Sequence, residues 1–364
     1  MGRLHDLHIE QGQSPWLDNL RRGWVTSGEL ERWVDRGVRG LTSNPTIFQK
    51  AIESTSDYDE QFGDLVASGT SIDDAYWDLV TTDIRSALGI LAPVHESSGG
   101  ADGFVSVEVA PSLAHDTDGT IAAARHLHQV IDAPNLLVKI PGTAEGLPAI
   151  TTAITEGISV NVTLLFSVDR YAQVIESYLQ GLEAHPGDLT AVSSVASFFI
   201  SRVDTEVDRR LGAIGTPEAL ALQGRAAVAN ARVAYQVFLE AFSGPRWEAL
   251  VARGARVQRP LWASTSTKNP DYPDTLYVDT LIGPDTVNTI PDTTLADFED
   301  HGTVARTIDV DPDEAGSTLS AIEGLGVDLN EVTSLLEAEG VTAFTKSFDE
   351  LLGVLDGRAA QLRS

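Results

Sequence analysis

The chain contains no cysteine. Disulfides, cysteine-based zinc sites and a thiol nucleophile are therefore excluded. Positive charge is also scarce. Lys and Arg number 25 against 53 Asp and Glu, giving a formal net charge of -28. Non-specific binding to nucleic acid needs a basic stripe, which is missing. An anionic membrane surface is disfavoured for the same reason. The acidic excess reads as a solvated, solubilising surface. No stretch approaches the ~18 apolar residues of a membrane span. The opening MGRLHDLHIEQGQSPW has no apolar core of the kind a secretory signal needs, so the cytoplasm is the expected compartment.

Several motifs are missing too. No G-x-G-x-x-G follows an apolar run, which argues against a dinucleotide-binding open sheet. PGTAEG (141–146) lacks the Lys-Ser/Thr ending of a P-loop and reads as a turn between a strand and a helix. The histidines at 5, 8, 95, 115, 126, 128, 185 and 301 show no H-x-x-x-H or similar ligand spacing. No metal or other cofactor is expected. There is no internal repeat, low-complexity tract or composition break, so residues 1–364 read as one domain.

What the sequence does have is alternation. Short apolar runs recur at PWLDN (15–19), RGLTS (39–43), GFVSVEV (103–109), NLLVKI (135–140), SVNVTLL (159–165), LTAVSSVASF (189–198), RPLWAS (259–264) and TVNTI (286–290). Helical patterns lie between most of them, at 27–37, 71–91, 119–132, 167–183 and 218–242, with two more at 328–340 and 342–362. Thr26 and Glu29 are spaced as a capping box for the first of these. Eight strands separated by helices predict a single (β/α)8 barrel, in the α/β class, with additional helices beyond the usual ~250 residues. In the last segment Phe344 and Phe348 fit either a cover over the barrel mouth or a plain amphipathic helix.

Strands covered on both faces should read as nearly continuous apolar runs. Polar residues within them are therefore informative. Glu108 interrupts three valines. Lys139 sits between Val138 and Ile140. Asn161 and Thr163 share one face of their strand. Asp18 follows Trp16 and Leu17, Thr42 and Asn44 are two apart, and Ser197 alternates with Val195. A lone polar residue in a strand is most often a hydrogen-bonded structural group. Six strands that each carry one would converge on a single lumen, and near their carboxyl ends they would line one site. A buried lysine has a specific chemical use there. Burial disfavours the ammonium, and a neutral amine can attack a carbonyl to form a Schiff base. Only four lysines exist, at 50, 139, 268 and 346, and only Lys139 lies within an apolar strand. Asp18 and Glu108 are the in-strand acids available for proton transfer. His115 follows the third strand, where a loop or surface role is expected.

The stretches WLDNL (16–20), GLTSNPTIF (40–48), VSVEVAPSLAHD (105–116), NLLVKIPGT (135–143), SVNVTLLFS (159–167), SVASFFISRVD (194–204) and LWASTSTKNP (261–270) resemble transaldolases of the actinobacterial kind, over essentially the full length. The resemblance implies a cofactor-free (β/α)8 transferase of the non-oxidative pentose phosphate pathway, acting on small sugar phosphates. Its Schiff-base lysine falls on Lys139. Asp18 would take the proton from a substrate hydroxyl during cleavage. Glu108 would work through a water held with Thr163. Asn44 and Asn161 resemble ligands of substrate hydroxyls, with Thr42 beside the first. Ser197 matches the serine that holds the ketose's terminal hydroxyl, and Arg202 matches a phosphate-binding arginine. The family's second phosphate arginine has no counterpart, and Lys268 is the nearest cation. Fructose-6-phosphate aldolases, the lyase alternative, usually have glutamine at the place of Glu108 and tyrosine at the place of Phe199, and are much shorter. Both a monomer and a homodimer are compatible with the sequence.

Overall fold

The computed structural model describes residues 2–363. Each of the eight apolar runs forms a strand: β1 (Gln13–Leu17), β2 (Gly40–Thr42), β3 (Phe104–Glu108), β4 (Leu136–Pro141), β5 (Val160–Leu165), β6 (Ser194–Phe199), β7 (Arg259–Ala263) and β8 (Thr286–Ile290). They close into one barrel in sequence order, and every neighbouring pair is parallel. Glu108 pairs with Lys139, and Lys139 with Asn161, so these three residues sit side by side across β3, β4 and β5. Helices pack around the outside and bury the other strand face. Ser71 and Ser167 cap the helices Ile72–Ser97 and Val168–Ala184, each hydroxyl accepting a backbone N–H in the first turn. No helix among the described residues is long and apolar enough to cross a membrane.

The structure differs from the sequence reading in several places, each with a local cause. β1 ends at Leu17, so Asp18 lies just past the strand, at the barrel's carboxyl end. β6 begins at Ser194, because Leu189–Ser193 turns into it. The Thr26–Glu29 capping box does not form. Gly28, in the left-handed region, takes the cap position of Glu29–Arg36, and Thr26 ends the short helix Arg22–Thr26 with its hydroxyl donating back to Arg22 and Gly23. The 218–242 pattern splits into Pro217–Leu220 and Ala226–Ala241 around Gly224, whose φ is +72°. PGTAEG is a turn, as expected, and opens directly into the unforeseen helix Gly146–Thr155.

The last two helical patterns are one helix, Leu329–Leu362, of 34 residues. At a rise of 1.5 Å per residue it is about 50 Å long. Gly340 reads as a break in sequence, yet it is helical. Here the missing side chain permits a close approach, since a Cβ would lie 2.8 Å from Leu164 Cδ2 on β5. Leu164 itself has φ +61°, within a register shift between Val162 and Leu165. A bulky residue in that region is strained, and such bulges occur beside functional sites. This long helix crosses the carboxyl end of the barrel. Thr46 donates to Ser347 at 2.9 Å, and Arg170 faces Glu337 at 3.7 Å.

The amino end is closed by a buried ionic plug. Trp16 lies against β2, where a Cβ on Gly40 would come within 2.4 Å of its ring. Its indole N–H donates to Asp102 at 3.2 Å. Asp102 also accepts from Ser14 (2.6 Å), Arg39 (2.8 Å) and Arg259 (3.1 Å).

Candidate active site

At the carboxyl end the strands surround a cavity of about 690 Å³. Parallel strands deliver side chains to this end one after another. Lys139 comes from β4, Thr163 from β5 and Ser197 from β6, while Asp18 and Thr42 come from the ends of β1 and β2.

Lys139 is 4% exposed. Its Nζ donates to the Ser43 carbonyl at 3.2 Å and stands 3.2 Å from Glu108 Oε2. The approach to Glu108 is an ion pair too bent to be a hydrogen bond, and Oε2 has no other partner among the described residues. Thr163, on the other side of Lys139, likewise has a buried hydroxyl with no described partner. Phe344, from the long C-terminal helix, covers the amine, its ring centre 5.9 Å from Nζ. The segment containing Phe344 and Phe348 therefore covers the mouth rather than only packing as an outer helix.

The two carboxyls are perturbed in the same direction for the same main reason. Burial pushes Glu108 up from the ordinary carboxylate value, and the neighbouring Lys139 charge opposes that rise. Burial also pushes Asp18 up, against Lys139, the Thr42 hydroxyl, Lys268 and Arg202. Thr42 donates to Asp18 at 2.8 Å and is itself 2.6 Å from Thr289. Asp18 thus has a hydroxyl partner, whereas Glu108 faces the amine. Carboxyls in such different settings can carry different protons.

Asn44 caps the helix Pro45–Ser54, its Oδ1 accepting from Ile47 at 3.0 Å. Its Nδ2 makes no hydrogen bond to a described residue, and the side chain lines the cavity. Asn161 is placed differently. It is fully buried, with Nδ2 donating to Ser106 at 3.0 Å and Oδ1 accepting from Ser197 at 2.7 Å. It supports the floor, and Ser197 carries that support to the cavity wall.

The mouth holds cations. The Arg202 guanidinium lies 5.2 Å from the Phe199 ring centre and forms no hydrogen bond or ion pair with any described residue. Burial pushes its pKa down, and the charges of Glu339 and Asp18, neither in contact with it, offset that only in part. Among the described residues Lys268 donates only to Ser266, at 2.6 Å. Burial, followed by the charges of Arg202 and Lys50, pushes the Lys268 ammonium down. Lys50 lines the same mouth and is also unpaired among the described residues. Sequence reading missed Lys50 and the Ser43 carbonyl, neither of which carried a local signal, and for Phe344 it left a mouth cover and a plain amphipathic helix both open. His115 is exposed and pairs with Glu145 at 3.1 Å, the surface role expected of it.

An amine buried beside a carboxylate, a second carboxyl on a hydroxyl partner, and unpaired cations at the rim suit carbonyl chemistry on an anionic substrate. Comparison with known proteins agrees. The family model described as Transaldolase/Fructose-6-phosphate aldolase matches residues 15–355. A transaldolase of Arthrobacter sp. (strain FB24) is 49% identical over 359 residues, covering 97% of each chain. One of Thermobifida fusca (strain YX) is 51% identical over 348 residues, 94% of this chain and 95% of the relative. One of Mycobacterium marinum (strain ATCC BAA-535 / M) is 52% identical over 357 residues, 96% of this chain and 95% of the relative. The chain belongs to the transaldolase/fructose-6-phosphate aldolase family, on its transaldolase side.

Proposed function

We propose that this transferase moves a dihydroxyacetone unit from sedoheptulose 7-phosphate to glyceraldehyde 3-phosphate, reversibly giving erythrose 4-phosphate and fructose 6-phosphate, in the cytoplasm and within the non-oxidative pentose phosphate pathway. The observation that carries the reading is the buried Lys139–Glu108 pair at 3.2 Å, under a mouth lined by unpaired cations. Sugar phosphates fit such a mouth. Nucleic acid and anionic membranes do not fit a chain of net charge -28.

The steps follow from the placement. The Lys139 amine adds to the ketose C2 carbonyl, and Glu108 supplies the proton with which the C2 hydroxyl leaves as water. Asp18 takes the proton from the C4 hydroxyl. The C3–C4 bond breaks, its electrons pass into the imine, and erythrose 4-phosphate leaves with a new aldehyde. The remaining enamine on Lys139 adds to the aldehyde carbon of glyceraldehyde 3-phosphate, and Asp18 returns its proton to the new hydroxyl. Water then adds to the imine, with Glu108 as base and Thr163 holding that water, and fructose 6-phosphate is released. Asn44 and Thr42 orient substrate hydroxyls, Ser197 with Asn161 beneath it holds the terminal hydroxyl, and Arg202 with Lys268 holds phosphate. Transfer needs an enamine that survives until an aldehyde arrives, and Phe199 offers it no proton. The test supplies fructose 6-phosphate with and without erythrose 4-phosphate. Sedoheptulose 7-phosphate should form when the acceptor is present. Steady release of dihydroxyacetone without acceptor, at a comparable rate, would instead mean a lyase.

A further inference from the structure

We propose that Tyr76 is a positioning residue for Glu108, its phenol holding the carboxylate through one water molecule in a small cavity behind the Lys139 site. The inference deepens, and rests on, the role given to Glu108 above.

Glu108 lines not the large mouth but a second, small space of about 10 Å³. That is close to the smallest volume that holds one water. Most of its walls are apolar, with Pro45, Phe48, Val107, Pro111 and Phe348 among them. Tyr76 enters it from the helix Ile72–Ser97. The Tyr76 side chain is 3% exposed, and its hydroxyl makes no hydrogen bond with any described residue. The ring is fixed edge-on by Trp77 and Phe348, each with its centre 5.0 Å away. The hydroxyl is not sealed in apolar contact but keeps a little accessible surface, and phenylalanine would satisfy the same ring contacts. What singles out tyrosine is the carboxylate across the cavity. Burial and then the Glu108 charge push the phenol's pKa up, so it stays protonated and can donate.

A donor on this side matters because of what lies on the other. Lys139 is the cation beside Glu108, and it becomes part of the imine during turnover. Asp18 adds a like charge from the end of β1. The C-terminal helix and Pro45–Ser54 bring only Phe348, Pro45 and Phe48 to this face. The titratable groups around Glu108 are therefore Lys139, Asp18 and Tyr76. A hydrogen bond from the Tyr76 side favours the carboxylate form and fixes which oxygen faces Lys139 and Thr163.

The test is Tyr76→Phe, which keeps every ring contact. The thermal midpoint should not fall. Imine formation and hydrolysis should slow about tenfold, the lower end for a hydrogen bond to a charged group, with KM for fructose 6-phosphate unchanged. The acid limb of kcat/KM should move up by about one pH unit, because loss of a donor raises the carboxyl's pKa. In a Glu108→Gln background the same substitution should add nothing. A wild-type pH profile, or equal slowing in the Glu108→Gln background, overturns the inference while leaving the Glu108 role standing. Imine formation at the wild-type rate in Glu108→Gln alone overturns that role, and this inference with it.

Discussion

Both ends of the barrel bury carboxylates beside cations, but they are completed differently. At the amino end, Asp102 is 1% exposed and has four donors: Arg39, Arg259, Ser14 and Trp16. Burial alone would raise its pKa, but Arg259, Arg39 and Ser14 hold it below the ordinary carboxylate value. At the carboxyl end, Glu108 and Asp18 stay raised, Thr163 and Glu108 keep oxygens without a described hydrogen bond, and Arg202 and Lys50 have no ion pair among the described residues. A charge whose partners are all within the fold holds the structure together. A charge whose partners are missing is ready for a ligand or a reaction. The ends use the same residue types, so the difference lies in how fully each group is paired.

The largest effect should come from the carboxyl end's one buried amine. Lys139→Ala should abolish turnover, and so should Lys139→Arg, because guanidinium stays protonated. Borohydride added with fructose 6-phosphate should label Lys139 alone among the four lysines. Peptide mapping that placed the adduct on Lys50, Lys268 or exposed Lys346 would remove the distinction between the ends. Next are the carboxyls, each costing roughly 10²–10⁴ in rate when changed to its amide. Single-turnover trapping separates them. Asp18→Asn should form the imine normally and cleave slowly, whereas Glu108→Gln should be slow in forming and hydrolysing it.

The amino end should answer in stability instead. Removing one partner of a fully buried pair costs about 3–5 kcal/mol. Arg39 and Arg259 keep some solvent contact, so Asp102→Asn should lose about 3 kcal/mol in urea unfolding, with kcat per folded molecule unchanged. The pH dependence has a defined sign. A carboxyl whose folded pKa is depressed contributes stability present above its unfolded value of about 3.9 and lost as pH falls through the folded value. Asp102→Asn should therefore lose less stability than wild type on acidification below about pH 4. Raised Asp18 and Glu108 act oppositely. Their contribution is present in acid and lost as pH rises, so Asp18→Asn should make unfolding less sensitive to rising pH. A pH profile for Asp102→Asn parallel to wild type would mean the plug does not depend on charge.

The reactive end was legible in sequence because its residues break a local pattern. Lys139 and Glu108 stand out in any parallel strand of valines, and Asp18 stood out although β1 stops before it. The plug was not legible. Asp102 lies outside the apolar run of β3, and Ser14 is 88 residues away from it in sequence. The same holds for Tyr76 and Lys50, which look like ordinary helix residues until the barrel brings them to the site. The helices Pro45–Ser54 and Ser201–Ile214 were missed because they follow their strands with almost no linker. Gly340 misled for a physical reason. Glycine costs a helix about 1 kcal/mol relative to alanine, but here it also lets the helix meet Leu164, a tertiary gain that no local window contains.

Smaller effects probe the phosphate side of the same end. Arg202→Ala should raise KM for fructose 6-phosphate far more than for fructose. A charged hydrogen bond of about 1.5–3 kcal/mol implies roughly a 10–150-fold loss. Equal losses on the two sugars would show that the unpaired guanidinium does not meet phosphate.

The smallest effects should come from Lys268 and Lys50, and their size tests whether exposure or merely position sets a cation's value. Both are exposed, unlike half-buried Arg202. Exposed charge interactions are worth about 0.2–1 kcal/mol, so Lys268→Ala and Lys50→Ala should each raise KM for fructose 6-phosphate by roughly 1.4–5-fold. Lys268 should be the larger, since burial already perturbs it and Arg202 and Lys50 both act on it. Neither substitution should affect fructose itself. Screening also differs between exposed and buried charges, because at 0.15 M salt an exposed pair is felt over only about 8 Å. Raising ionic strength should therefore shrink the Lys50 and Lys268 effects while leaving most of the Arg202 effect. If the Lys50→Ala loss matched that of Arg202→Ala and resisted salt, Lys50 would be a direct phosphate ligand drawn inward on binding. The line between inner and outer cations would then have to be redrawn around three equal groups.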